Sequence, residues 1–438
     1  MQDIKNNKKI IRGWAMFDWS NSAYNLVITS TIFPAYYTII TTTKEHGDKV
    51  TFFGRTFVNT ALSNYTLSVA YLIMAVLLPL LSSMADFRGN KKIFMKIFTY
   101  LGGLACMGLF FFELKTLELG IICFALAAMG YIGGVMFSNS YLPEIATVDK
   151  QDRVSAQGFA YGYVGSVLLQ IICFVFVLKP EWFGISDASF PARFSFLLVG
   201  IWWIAFAQIP FALLPSGSPN KERINRQVIH NGYQELIKVF RRVRSARVLR
   251  RFLSAFFFYS VGVQTIMLVA ASFGEKELHL GTSKLIATIL IIQIVAIAGA
   301  FIMSSLARLI GNIRVLILVV LIWIAVCVAS YFVSTAGQFY VVAAVVGLIM
   351  GGIQSLSRST YSKYLPENTP DTASFFSFYD VTEKLAIVIG LAVFAFIEER
   401  SNIRNSALTL SVFFILGLFM LIVLLFTKKE QKAEPEEL

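Results

Sequence analysis

The sequence predicts an all-α integral membrane protein of twelve transmembrane helices, arranged as two parallel six-helix repeats. Three observations carry this reading. The 438 residues are 56% hydrophobic and only 15% charged, with a mean hydropathy of +0.68, whereas a water-facing domain needs about a quarter of its residues charged. Apolar segments of spanning length recur from end to end. Two stretches of the first half return in the second at a nearly constant offset.

The apolar segments are 13–42, 58–84, 93–113, 118–141, 156–178 and 194–214, then 252–273, 284–306, 315–333, 338–361, 373–397 and 406–427. Each is long enough to cross a hydrocarbon layer of ~30 Å as a helix rising ~1.5 Å per residue. The first follows Lys5, Lys8, Lys9 and Arg12. It is too long for a secretory signal core and has no small-residue cleavage site, so it reads as a span. The chain thus divides into an N-terminal bundle (1–214), a basic linker (215–251) and a C-terminal bundle (252–438).

The linker opens on Pro215, Ser216, Gly217, Ser218 and Pro219, residues of turns. Its basic run is Lys238, Arg241, Arg242, Arg244, Arg247, Arg250 and Arg251. Tyr233, Ile237, Phe240 and Val243 interleave with it at helical spacing. This pattern predicts an amphipathic helix on an anionic inner leaflet, not a nucleic-acid surface, despite a net charge of +12. With the N-terminus inside, the inner loops and span ends carry 27 of the 38 Lys and Arg, the outer ones 10, and Lys384 lies within a span. That asymmetry places both termini in the cytoplasm.

Ser82 to Asn90 reads Ser-Ser-Met-Ala-Asp-Phe-Arg-Gly-Asn, and Ser304 to Asn312 reads Ser-Ser-Leu-Ala-Arg-Leu-Ile-Gly-Asn. Five of nine positions agree, at an offset of 222. Tyr141-Leu142-Pro143-Glu144 returns as Tyr364-Leu365-Pro366-Glu367, at an offset of 223, with Gly133-Gly134 and Gly351-Gly352 upstream. Six spans per half is an even number, so the second half enters the membrane the same way up as the first. Such parallel repeats place a solute site at the repeat interface near the midplane.

Other function classes find little support. Cys106, Cys123, Cys173 and Cys327 sit in apolar runs without metal-ligand spacing, and His46, His230 and His279 are far apart. No zinc-binding helix motif or nucleophile elbow occurs, so an enzyme is not expected, nor is a cofactor. A non-transporting receptor or scaffold on the same frame would share every feature described so far.

The loop after the second span, with Asp86, Gly89, Lys91 and Lys92, partly matches the Gly-x-x-x-Asp-Arg-x-Gly-Arg-Arg pattern of major facilitator transporters. Ser82, Phe87 and Asn90 depart from it. Gly89 permits a tight turn, and Asp86 suits a gate where it meets a cation or a helix N-terminus. More specific are Gly13 to Tyr24 (Gly-Trp-Ala-Met-Phe-Asp-Trp-Ser-Asn-Ser-Ala-Tyr), Asn139 to Ala146, Gly351 to Ser359, Phe376 to Asp380, and Tyr259 with Gly262-Val263-Gln264-Thr265. Together these resemble the vacuole-effluxer-like family of the major facilitator superfamily, over nearly the whole chain. The resemblance implies a transporter of a small polar solute, with amino acids suggested by the eukaryotic members. The parallel repeat implies alternating access, and a carboxylate within the first span, Asp18, makes protons a candidate coupling ion. The compact chain suggests a bacterial member, a monomer of the inner membrane whose partners are its solute and the bilayer. Val261 stands where some relatives have an acid, so no role is carried over to it.

Polar residues concentrate on two spans. On the first, Trp14, Asp18, Asn21 and Asn25 recur at four, three and four residues and form one stripe. Asp18 is a candidate proton carrier, or else a gate partner for Arg358 or Lys363, or a helix cap. On the eleventh, Asp380, Glu383 and Lys384 lie near mid-depth, where a charge costs ~2.5–3.5 kcal/mol. Asp380 and Lys384, at i and i+4, can pair on one face. That leaves two readings, an ion pair that holds helices together or an amphoteric solute site. Asn21, Asn25, Tyr161, Gln264, Gln293 and Gln354 complete the candidate cavity, and Arg358 joins Asp86 and Gly89 as a gating candidate.

Overall fold

The computed structural model describes residues 4–44, 46–217, 226–366 and 368–433; Ser218, Pro219 and Glu367 therefore lie outside the described residues. Its helices follow the hydropathy pattern. α1 (Lys8–Ala23) begins where the Asn7 side chain accepts from the amides of Lys9 and Ile10. It continues through a π-helical stretch (Tyr24–Ile32) into α2 (Phe33–Thr41). Pro34 has no N–H to continue the ladder. The Ser30 and Thr31 hydroxyls bond carbonyls five residues back, at Asn25 and Leu26. A hairpin of β1 (Lys49–Phe52) and β2 (Arg55–Val58) follows, where the sequence suggested only a loop.

Then come α3 (Asn59–Arg88), α4 (Lys91–Gly108), α5 (Leu117–Asn139), the short α6 (Leu142–Ile145), α7 (Gln151–Leu178) and α8 (Phe190–Leu213). α9 (Arg226–Ser245) and α10 (Arg247–Leu278) follow, so residues 247–251 of the expected linker belong to a long helix. α11 (Thr282–Ile310), α12 (Asn312–Phe332), α13 (Ala336–Lys363), α14 (Thr372–Arg400) and α15 (Ile403–Ala433) complete the chain.

Among the described residues, ten helices are long and apolar enough to cross a membrane. The two expected spans missing from that set are those of the polar stripes: residues 8–41, broken by the π stretch, and α14, with its three central charges. Large apolar side chains remain exposed along the helices, among them Val76 (70%), Leu309 (82%) and Phe332 (71%). In water such surfaces would drive association; against hydrocarbon they are the expected exterior.

The chain forms two compact units. One comprises 7–139 and 161–223. In it α4 and α5 cross with their backbones touching, since a Cβ on Gly130 would lie 2.7 Å from the Phe98 carbonyl oxygen. Phe33 stacks on Phe124 at 4.0 Å, and the Tyr36 hydroxyl donates to the Phe112 carbonyl. Near the α7–α8 turn, Arg193 pairs with Glu113 and with Asp187, the latter at 2.9 Å. The Ser189 amide and hydroxyl, with Arg193, hold the exposed Asp187 carboxyl below its usual range.

The other unit comprises Met1–Asn6, Ser140–Ala160 and Ile224–Leu438. Its tightest seam joins α11 to α13. There Gly299, Gly347 and Gly351 each lie against backbone of the partner helix, at Leu348, Ile292 and Ala296.

Candidate functional site

The predicted residues divide between the two units. In the first, α1 buries Trp14, Asp18 and Asn21. Trp14 Nε1 donates to the Ser138 carbonyl at 2.8 Å, so this member of the stripe is spent on structure. Asn21 is 1% exposed and its Nδ2 has no hydrogen-bond partner. Asn25 is half-buried within the π stretch.

Gly162 of α7 sits against the Asp18 carbonyl oxygen and Ser22, and Gly165 against Trp19. The small residues of span five thus let α7 lie directly on α1. Tyr161 meets Trp19 edge-on at 6.5 Å, and Trp19 stacks on Trp202 at 5.8 Å. Gln170 was not expected. It is fully buried, its Oε1 accepts from Thr31, and its Nε2 has no partner. Its only sequence signal was an amide in an otherwise apolar segment.

Gly89 adopts φ 62°, the left-handed turn its sequence position predicted, and ends α3 with its N–H on the Ala85 and Asp86 carbonyls. Lys92 Nζ then donates to the Leu214 carbonyl at 2.7 Å, tying this loop to the end of α8. Asp86 is half-buried.

The second unit holds a charged cluster at the middle of α14. Lys384 is 8% exposed and Asp380 3%. The predicted i, i+4 pair is present, with Nζ 3.6 Å from Asp380 Oδ1, but the shorter bond runs to the adjacent Glu383, at 2.7 Å. Glu383 Oε1 also accepts from Gln264 Nε2 of α10 at 2.8 Å. Asp380 Oδ2 is buried without a hydrogen-bond partner. Two carboxylates therefore share one ammonium, and one oxygen is left over.

Gly390 lets α10 approach α14 here, since a Cβ would stand 2.8 Å from the Val261 carbonyl oxygen. Around the cluster, the Tyr259 hydroxyl meets Ser357 Oγ at 2.7 Å and Phe256 stacks on Tyr379 at 4.1 Å. Gln354 Nε2 approaches Met267 Sδ at 3.5 Å, and Gln293 is half-buried on α11 with its Oε1 unpartnered.

The same unit contains a polar clasp joining segment 144–159 to α12, α13 and α14. Asp152 is 2% exposed. Its Oδ2 accepts from Lys363 Nζ at 2.5 Å and its Oδ1 from Asn312 Nδ2 at 2.7 Å. Asn312 also donates to Thr360 Oγ1 and accepts from Lys363. Arg358, 2% exposed, donates to the Ser155 hydroxyl at 2.9 Å and carbonyl at 2.8 Å, and its guanidinium lies 4.1 Å from the Phe159 ring centroid. Ser155 Oγ in turn donates to the Ser355 carbonyl, and Thr372 donates to Glu144.

Of these residues the sequence had singled out Arg358 for gating and Lys363 as a possible Asp18 partner; the carboxylate on Lys363 is Asp152. Asp152 went unnoticed because it stands in an ordinary charged turn, Asp149-Lys150-Gln151-Asp152-Arg153. The exposed Asp149 beside it is held below the usual carboxylate range, first by the Thr147 hydroxyl.

Comparison with known proteins agrees with this architecture. Residues 6–434 match the family described as "Vacuole effluxer Atg22 like". "Uncharacterized MFS-type transporter YxiO" of Bacillus subtilis (strain 168) is 29% identical over 98% of this chain and 97% of that protein. "Autophagy-related protein 22" of Yarrowia lipolytica is 28% identical over 65% of this chain and 53% of that protein, of which the chain thus spans about half. The crystal structure of the human organic anion transporter MFSD10 superposes with a TM-score of 0.70, covering 94% of this chain and 99% of that one, at 11% identity, which speaks to fold alone. The chain is an integral membrane protein of the major facilitator type and a transporter rather than an enzyme, and it belongs to the vacuole effluxer Atg22-like family.

Proposed function

We propose that this chain is a secondary transporter of a small zwitterionic solute, amino acids foremost, that works by alternating access of two parallel six-helix repeats. In this reading residues 8–41 and α14 complete a set of twelve spans. Both termini are cytoplasmic, in a bacterial inner membrane, and the working form is a monomer.

The buried cluster on α14 is the observation that carries the proposal. Lys384 supplies an ammonium for the solute's carboxylate. The unpartnered Asp380 Oδ2, with Glu383 beside it, supplies an acceptor for the solute's ammonium. A charge held at mid-helix costs ~2.5–3.5 kcal/mol in a bilayer, and three of them would be an expensive way to join two helices that Gly390 already brings together. Gln264, Gln293 and Gln354 of the same unit add neutral donors and acceptors, and Gln293 has an unpartnered polar atom. In the other unit Asn21, Asn25 and Tyr161 are the proposed solute contacts, and Asn21 has an unpartnered polar atom.

Asp18, buried on the helix with the π stretch, is the proposed proton carrier. The clasp at Asp152, Arg358 and Lys363 is the proposed cytoplasmic gate of its unit, and Asp86 and Gly89 are the gating candidates of the other.

The test is transport of amino acids by the purified protein in proteoliposomes. Lys384→Ala should abolish uptake while the protein stays folded and monodisperse, its thermal midpoint lowered because two carboxylates lose their shared cation. Uptake at the wild-type rate would reject the site. A wild-type protein that binds amino acids but moves none would point to a receptor.

A further inference from the structure

A groove of about 300 Å³ opens where α9, α10 and α14 meet, lined chiefly by Val243, Arg250, Leu253, Phe257, Phe258 and Leu385. Its wall is ordered by polarity. Arg250, Leu253 and Phe257 stand at i, i+3 and i+7 of α10, with Ser254 and Phe258 one step round, so they share one face. At ~1.5 Å per residue, Phe257 lies roughly 10 Å along the helix from Arg250. One end of the groove is cationic and the rest is apolar.

The charge at that end is unbalanced. α10 opens with Arg247, Arg250 and Arg251 and has no acid in its first turn, and α9 closes on Arg242 and Arg244. Arg242 is paired with Asp371, and Arg251 bonds the Thr427 hydroxyl. Arg250 is exposed. It donates to the Arg244 carbonyl at 2.6 Å and has no carboxylate at ion-pair distance among the described residues. Beside it α9 exposes two aromatic rings, Tyr233 at 55% and Phe240 at 51%. Rings with one wet and one apolar side, next to arginines, mark the level of lipid headgroups. α10 is long and apolar enough to cross a membrane, and the groove's far end lies on its apolar part, at Phe257 and Phe258.

We infer that this groove is a binding site for one anionic phospholipid. Its phosphate pairs with Arg250, and an acyl chain lies along Leu253, Phe257, Phe258 and Leu385. The charge complementarity selects the headgroup, because a zwitterionic lipid offers the same chains and phosphate but brings an ammonium in among the arginines. Thr382 and Leu385 line the groove on the α14 side and bracket Glu383 and Lys384 in sequence. The bound lipid thus braces the helix segment that carries the charged cluster, although its binding does not depend on what that cluster transports.

Native mass spectrometry of the purified full-length protein tests this, with dioleoyl phosphatidylglycerol and dioleoyl phosphatidylcholine added at equal concentration. Phosphatidylglycerol should be retained at least about tenfold better, because the choline's positive charge offsets that of its own phosphate beside the arginines. Arg250→Ala should bring it down to the phosphatidylcholine level, and Arg250→Lys should restore most of the preference. Leu253→Trp, which fills the groove and leaves the arginine in place, should lower retention of both lipids. Glycerol phosphate should not displace the lipid. Equal retention of the two lipids by the wild type, undiminished phosphatidylglycerol binding by Arg250→Ala at an unchanged thermal midpoint, or displacement by glycerol phosphate alone would each overturn the assignment.

Discussion

Removing Lys363 should open the clasp, and the structure sets the scale. The Asp152 side chain is 3% exposed, and it is held through one oxygen by Lys363 and through the other by Asn312. In Lys363→Ala the carboxylate stays buried with one neutral donor, and its charge is uncompensated. Breaking a buried pair by deleting one partner costs about 3–5 kcal/mol. Lys363 is 18% exposed, so solvent returns part of that and the lower end applies. About 3 kcal/mol against the closed clasp corresponds to a shift on the order of 100-fold toward the open form.

The shift can be read as chemical accessibility. Ser355 is fully buried, and its carbonyl accepts from Ser155 across the clasp. With the four native cysteines replaced by alanine, Ser355→Cys should react slowly with a polar maleimide, and Lys363→Ala should raise that rate by roughly 100-fold. Asp152→Asn keeps the shape and removes the stranded charge, so it should raise the rate less. The double variant should fall below Lys363→Ala alone, because the coupled cost disappears with the carboxylate. A rate for Lys363→Ala within about twofold of the parent would refute the reasoning, since it would mean that Arg358 and Thr372 hold the segment without the ion pair.

Two further outcomes follow from the same geometry. Asp18→Asn should make transport insensitive to an imposed pH gradient, while uptake driven by the solute gradient persists; an unchanged pH response would remove Asp18 from coupling. Gly351→Ala should lower the thermal midpoint in detergent, by the ~1–3 kcal/mol of an overpacked seam, because its Cβ would press on the Ala296 carbonyl and lie 3.0 Å from the Ala300 amide nitrogen. Gly337→Ala, near the start of the same helix and in open space, should leave the midpoint unchanged or raise it.

The helical frame was legible because hydrophobic length is a local property. Ten of the expected spans return as long apolar helices, displaced by a few residues where a cap decides the end, as Gly89 does at α3. Legibility fell where chemistry entered. The π stretch from Tyr24 depends on Pro34 and on hydroxyls that reach back five residues, which hydropathy does not weigh. The candidate cluster was visible as far as one helix could show it. Asp380, Glu383 and Lys384 announce themselves by charge at mid-span. Lys384's choice of Glu383 over Asp380 depends on geometry, and Glu383's second partner, Gln264, comes from a different helix. Asp152 was invisible for the same reason. Its burial is created by Lys363, 211 residues away, and nothing in its own turn distinguishes it from a solvated acid.

The repeated loop shows how duplication and function part company. Gly89 and Gly311 both take positive φ, 62° and 89°, and each follows the end of a helix, with Asn90 and Asn312 next in the chain. The shared glycine thus supplies a positive φ in both places, but the turns differ, with ψ 28° at Gly89 and 148° at Gly311. What comes after differs. In the first copy Lys92 donates to the Leu214 carbonyl and fastens the loop to the end of α8. In the second copy the counterpart of Lys92 is the exposed Arg314, which donates to the Ile310 carbonyl at 3.4 Å, and the asparagine itself turns to Asp152, Thr360 and Lys363. One repeated stretch of sequence thereby ties its loop to the end of α8 in its first occurrence and joins the Asp152 clasp in its second. Substitutions at Asn312 should accordingly alter the accessibility of Ser355→Cys, and those at Asn90 should leave it alone, although the two asparagines occupy the same place in the repeat.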